Sequence, residues 1–133
     1  MVLRRRDSFP ERKSFLATKD EHLRKAEENQ AFAESITNSD VAQREWGLII
    51  RFYAAIHYVE AYLSSVGCGT VSHRERRRVI ASRSELAPLA DDFQDLYNLA
   101  WNARYLCLPC PTAEVIKAHQ LLLSIRAHIR LLS

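Results

Sequence analysis

The sequence predicts an all-α fold, an antiparallel bundle of about five helices around one core. Three observations carry that reading. Apolar residues recur at helical spacing in four of five segments. Three segments open on capping-box spacing, at Ser8 and Glu11, Asp40 and Gln43, and Ser72 and Glu75. The 133-residue chain holds only three glycines and four prolines, too few for the many tight turns of a sandwich or barrel.

Taken in order, residues 1–7 read as a flexible basic arm and residues 8–133 as one helical domain. Ser8-Phe9-Pro10-Glu11 predicts the start of a first helix that runs from about residue 10 to 36. Its apolar face is thin (Leu16, Leu23, Ala26, Ala33, Ile36), which places it on the outside of the bundle. Asn38-Ser39-Asp40 breaks it, and Asp40 caps a second helix that reaches about Ser65. This second helix is apolar nearly all round and is therefore central.

A loop at 66–70 follows, then a short basic helix from Ser72 to about Ser84. Pro88 opens a fourth helix, about 89–107, with the stripe Leu89, Phe93, Leu96, Ala100, Ala103 and Cys107. Pro109 and Pro111 interrupt it. The last helix, about 112–132, carries Val115, Ala118, Leu122, Ile125, Ile129 and Leu132.

Composition bounds the function. Apolar residues make up 47% and charged residues 26%, an ordinary globular mixture. No apolar run reaches the ~18 residues that span a bilayer, so no membrane association is expected. The basic N-terminus lacks an apolar h-region, so it is not read as a secretory signal. Three cysteines, an odd number, point to reduced thiols and a cytoplasmic setting. Net charge is only +3, but arginine outnumbers lysine 15 to 4. Arginine's planar fork of donors suits phosphate; GC-rich coding gives the same bias without a phosphate ligand.

On a wheel at ~100° per residue, Trp46, Ile49, Ile50, Tyr53, His57, Glu60 and Ala61 share one face of the second helix. That face is expected to be buried, with Trp46 as its anchor. Arg44, Arg51, Tyr58 and Tyr62 lie roughly opposite. His57 reads either as a core histidine held by Glu60 or a tyrosine hydroxyl, or as a general acid/base, since imidazole titrates near neutrality.

Between Ser72 and Arg83, Arg74, Arg76, Arg77, Arg78 and Arg83 face one Glu75. They form either a solvated face balanced by Glu85, Asp91, Asp92 and Asp95, or a surface for phosphate, with His73 and Arg74 in the first turn where free N–H groups favour an anion. Tyr97, Trp101, Arg104 and Tyr105 share a face of the fourth helix, suited to stacking on unpaired bases or to packing against a neighbour. Cys107 and Cys110 form a lone CxxC, for which a helix-ending turn is the simpler reading, so no metal or cofactor is expected.

Three stretches together carry a family resemblance. Phe52-Tyr53-Ala54-Ala55-Ile56-His57-Tyr58-Val59-Glu60-Ala61, then Ser72-His73-Arg74-Glu75-Arg76, then Leu96-Tyr97 through Asn102-Ala103-Arg104-Tyr105, resemble in order and placement the helices of small proteins of the HEPN superfamily. The match covers about residues 46–106. The resemblance implies a helical bundle, often a homodimer, frequently within toxin–antitoxin or antiphage defence systems with a cognate antitoxin or nucleotidyltransferase partner.

Many such proteins are metal-independent ribonucleases with an arginine, then four to six intervening residues, then a histidine. Arg51 and His57 have that spacing and would be the catalytic pair. Phe52 stands where a polar residue is usual, and the wheel sets Arg51 and His57 about 120° apart. Other members lack the signature and act as binding modules. The sequence therefore leaves two expectations. One is a module binding RNA, a nucleotide or a partner protein, with His73, Arg74, Arg77, Arg78 and Arg104 contacting RNA. The other is an endoribonuclease using Arg51 and His57.

Overall fold

The computed structural model describes residues 16–133, and every element in them is helical: α1 Lys19–Ser35, α2 Val41–Ser65, α3 His73–Ser82, α4 Ala87–Tyr105 and α5 Thr112–Leu132, with a single 3₁₀ turn, Ser84–Leu86, leading into α4. The expected all-α bundle is observed. The basic arm at 1–7 and the Ser8 cap lie outside the described residues. The expected continuous helix from about residue 10 is not observed, because residues 16–18 are not helical. Thr18 caps α1 instead, accepting from the Glu21 N–H while the Glu21 carboxylate accepts from the Thr18 N–H at 2.8 Å.

Local chemistry sets the other boundaries. Asp40 accepts from the Gln43 N–H at 2.9 Å and starts α2. The Gln43 side chain does not reach back; it bonds Thr37 and Ser39 in the preceding turn. α2 ends in a Schellman motif, with Cys68 N–H donating to Leu63 O and Gly67 N–H to Ser64 O. The motif needs a left-handed residue after the cap, and Gly67 supplies it at φ 76° without a Cβ penalty. Ser72 caps α3 by accepting from the Glu75 N–H at 3.1 Å.

α2 is the central helix: α1, α4 and α5 all pack on it, α5 also packs on α4, and α3 lies against α4. Leu48, Phe52, Ala55, Val59 and Leu63 of α2 are completely enclosed and meet Leu89, Phe93 and Leu96 of α4 and Val115, Leu122, Ile125 and Ile129 of α5 in one core. A buried Phe or Leu of this kind is worth about 1.5–3 kcal/mol over an exposed one.

Enclosure on three sides leaves α2 one narrow outward stripe, and it runs through Trp46, Ile50, Tyr53 and His57. Trp46 is 60% exposed and Tyr53 37%; Ile50 and His57 are half-buried. The expected burial of this face is therefore corrected in part: Ile49, Glu60 and Ala61 are buried, but Trp46 does not anchor the face, and Tyr53 is exposed. Arg51, Tyr58 and Tyr62, roughly opposite, are buried as well. Among the described residues no helix is long and apolar enough to cross a membrane.

Candidate nucleic-acid interface

α3 is a ten-residue helix with five basic side chains, and its position beside α4 decides what each can do. Arg76 faces inward. Its Nε donates to the Glu60 carboxylate of α2 at 2.7 Å, and both side chains are buried. Thr70 donates to the same carboxylate through its backbone N–H at 2.9 Å and through its hydroxyl. Glu60 is thus committed to Arg76 and Thr70, not to His57 as a wheel reading suggests.

His73 opens α3 against Phe52, with near-parallel rings 5.8 Å apart, and meets Tyr97 of α4 edge-on at 6.0 Å. Its Nδ1 lies 3.3 Å from an Arg76 terminal nitrogen. A guanidinium can only donate, so His73 Nδ1 accepts and the neutral ring carries its proton on Nε2. Partial burial, followed by the charges of Arg76, Arg104 and Arg77, holds its pKa below the usual histidine value.

Arg77 lies with its guanidinium 4.5 Å over the Tyr97 ring. Its Nε is buried without an acceptor, and no carboxylate among the described residues is within ion-pair distance. Arg104, from the last turn of α4, lies 5.9 Å over Phe52 and 5.0 Å over Tyr105, and its Nε donates only to the Ala100 carbonyl of its own helix. From Tyr97 the aromatic row continues along α4: Trp101 at 6.3 Å, then Tyr105 at 4.5 Å from Trp101. Trp101 is 44% and Tyr105 57% exposed.

His73, Arg77 and Arg104 thus share one surface with three aromatic rings. Arg74 and Arg78 are exposed, respectively one turn before and one residue after Arg77 on α3, and contact none of these rings. The acidic run does not neutralise this surface. Glu85 pairs with Arg83 at 2.8 Å and Asp92 accepts from Ser124, while Asp91 and Asp95 form no ion pair with α3.

Arg51 and His57 are not brought together. Arg51, buried between α2 and α5, donates from Nε to His119 Nδ1 at 3.1 Å and from a terminal nitrogen to the Gly47 carbonyl. His119 Nε2 lies 3.6 Å from Glu34 of α1, and Glu34 accepts from Gln30, whose amide oxygen accepts from the Tyr58 hydroxyl. This polar chain through α1, α2 and α5 was not legible in the sequence, because His119 is 68 positions from Arg51.

His57 meets a different histidine, His22 of α1, Nδ1 to Nδ1 at 3.0 Å. Burial first, then the nearby positive groups of His22, Lys25 and Arg76, push its pKa down to about 4. Of the CxxC, Cys107 is exposed and Cys110 buried, and among the described residues no group of three or more side chains is placed to hold a metal.

No family model, no curated protein and no solved structure matches the chain.

Proposed function

We propose that this protein is a HEPN-like helical module that binds single-stranded RNA through the surface shared by α3 and α4. One observation carries the proposal. Arg77 and Arg104 rest on aromatic rings without a carboxylate counter-ion among the described residues, next to His73 and a row of partly exposed aromatics. Guanidinium groups with uncommitted N–H donors suit phosphates, and ring faces beside them suit unpaired bases.

Commitment of Arg51 to His119 and of His57 to His22 favours binding over cleavage by an Arg51–His57 pair. A place in a toxin–antitoxin or antiphage system, with a homodimer, a cognate antitoxin or a nucleotidyltransferase as partner, is consistent with the sequence resemblance and belongs to the same proposal.

The test is fluorescence anisotropy with a labelled single-stranded RNA of about ten nucleotides, in the presence of a chelator, followed by a denaturing gel of the same samples. Binding of intact RNA that weakens in Arg77→Gln and Arg104→Gln is the expected result. RNA that is cut, with cutting lost in a folded His57→Gln variant, would make the protein a ribonuclease instead. Absence of both binding and cutting across varied sequences would overturn the RNA reading.

A further inference from the structure

The seam between α3 and α4 holds a half-open cavity of about 230 Å³. Ile80 and Ala81 of α3 and Phe93 of α4 give it apolar walls, and Arg77, Asp91 and Gln94 supply its polar groups. The volume lies under the about 300–1,000 Å³ of pockets for drug-sized ligands, so it suits one planar ring system and not a whole nucleotide. The polar groups are not satisfied by one another. Arg77 rests 4.5 Å over the Tyr97 ring, and its buried Nε has no acceptor. Asp91 lines the same cavity yet pairs with no cation among the described residues. Gln94 donates from its amide nitrogen to Asn98 at 2.9 Å, and its amide oxygen remains an acceptor.

Arg77 and Asp91 set opposite charges on one small cavity. Asp91 repels an anion and Arg77 repels a cation, so the complementary ligand is neutral, planar and carries both donors and acceptors. A nucleobase has that chemistry. Among the bases guanine matches best, because its Watson–Crick edge places N1–H beside the N2 amine, two adjacent donors for one carboxylate, while O6 and N7 accept from arginine. Adenine and cytosine set an acceptor beside their single amine, and uracil has one N–H between two carbonyls. We propose that the cavity between α3 and α4 holds one guanine of an unpaired strand, with Asp91 accepting from its N1–H and N2 amine and Arg77 donating to O6 or N7. The several N–H donors of a guanidinium let Arg77 meet a base and a backbone phosphate together. This rests on the RNA-binding reading and goes beyond it by naming the base and its place. A guanine paired in a duplex has that edge occupied, so the cavity selects unpaired ones.

The experiment uses the full chain and fluorescence anisotropy with a labelled adenylate pentamer and with versions carrying guanosine, inosine, cytidine or uridine at the middle position. The guanosine pentamer should bind about 5- to 100-fold more tightly than the adenylate pentamer, the range for one bidentate base contact. Inosine lacks only the N2 amine and should keep part of that gain. Asp91→Asn turns one acceptor into a donor and should bring the guanosine-to-adenylate ratio near one. Ala81→Leu, which fills the cavity from an exposed helix position, should do the same. Circular dichroism checks that both variants keep the helical fold.

The inosine comparison changes the ligand alone, so it stands even if a variant fails to fold. Equal affinity of the wild type for all five pentamers would overturn the guanine pocket while leaving RNA binding in place. A preference for cytidine or uridine, or a guanosine preference that survives both Asp91→Asn and Ala81→Leu, would overturn it in the same way. Guanosine monophosphate binding as tight as the pentamer's would overturn the claim for a strand and make the cavity a free-nucleotide site. Absence of any pentamer binding would overturn the pocket and the RNA reading together.

Discussion

Glu60 on α2 and Arg76 on α3 form a buried ion pair, 2.7 Å between Arg76 Nε and Glu60 Oε2, with Thr70 bonded to the same carboxylate. The pair ties the loop after α2 to the central helix and sets where α3 begins. Arg76 in turn donates toward His73, so the carboxylate in the core fixes, through one arginine, a ring on the proposed binding surface.

Removing Glu60 alone leaves a guanidinium buried without a partner. Glu60→Ala should therefore cost about 3–5 kcal/mol in a urea unfolding titration. Replacing both charges, Glu60→Leu with Arg76→Met, should recover part of the loss but not all of it, because the Thr70 N–H stays buried without an acceptor. A cost under about 1 kcal/mol for Glu60→Ala would show that water reaches the pair.

Trp46→Ala should cost under about 1 kcal/mol, since the side chain stands on the outward stripe of α2 and is 60% exposed. Phe52→Ala, at a position with no exposure, should cost about 3–5 kcal/mol. Equilibrium unfolding of the two variants side by side checks the orientation of the central helix. Equal losses would contradict it.

Those two residues also show what was legible in the sequence. The α4 and α5 stripes were readable because each helix has one apolar face, and Leu89, Phe93, Leu96, Val115, Leu122 and Ile125 are all buried. α2 is apolar nearly all round, so periodicity identified it as central but could not say which narrow stripe faces out. Size and apolarity point Trp46 inward, yet it stands on the exposed stripe. The partners of Arg51 and Glu60 are not legible for a related reason: His119 and Arg76 come from other helices, and only packing reveals them. On the proposed binding surface, His73, Arg77 and Arg104 could be named from local text, but their convergence on Tyr97 and Phe52 depends on how α3 docks against α4.

Acid should destabilise the fold before its carboxylates titrate. His57 has a folded pKa of about 4, below the ordinary value of 6.5, so the unfolded chain binds the proton more readily. Its contribution is complete above about pH 6.5 and is lost as the pH falls toward 4, with a slope of at most about 1.4 kcal/mol per pH unit for each such histidine. His22, His73 and His119 are shifted the same way, each chiefly by burial. Urea midpoints should therefore fall between pH 7 and pH 5, and His57→Gln should flatten the decline. A midpoint independent of pH over that window would mean that these histidines are not buried in the folded state.

Salt dependence separates arginines that are free to meet phosphate from those already paired. Each phosphate contact to a single strand contributes about 0.7 to the slope of log affinity against log salt, through release of a condensed counter-ion. Arg77 and Arg104 rest on ring faces with no carboxylate partner among the described residues, so Arg77→Gln and Arg104→Gln should each lower the slope by about that amount. Arg83 is held at 2.8 Å by Glu85, so Arg83→Gln should leave the slope unchanged although it removes the same formal charge. Anisotropy titrations from low to moderate salt measure all three. Equal reductions for all three variants would mean that only net charge attracts the strand and that the aromatic-backed arginines have no special role. A reduction confined to Arg77 and Arg104 would locate the phosphate path along the seam between α3 and α4.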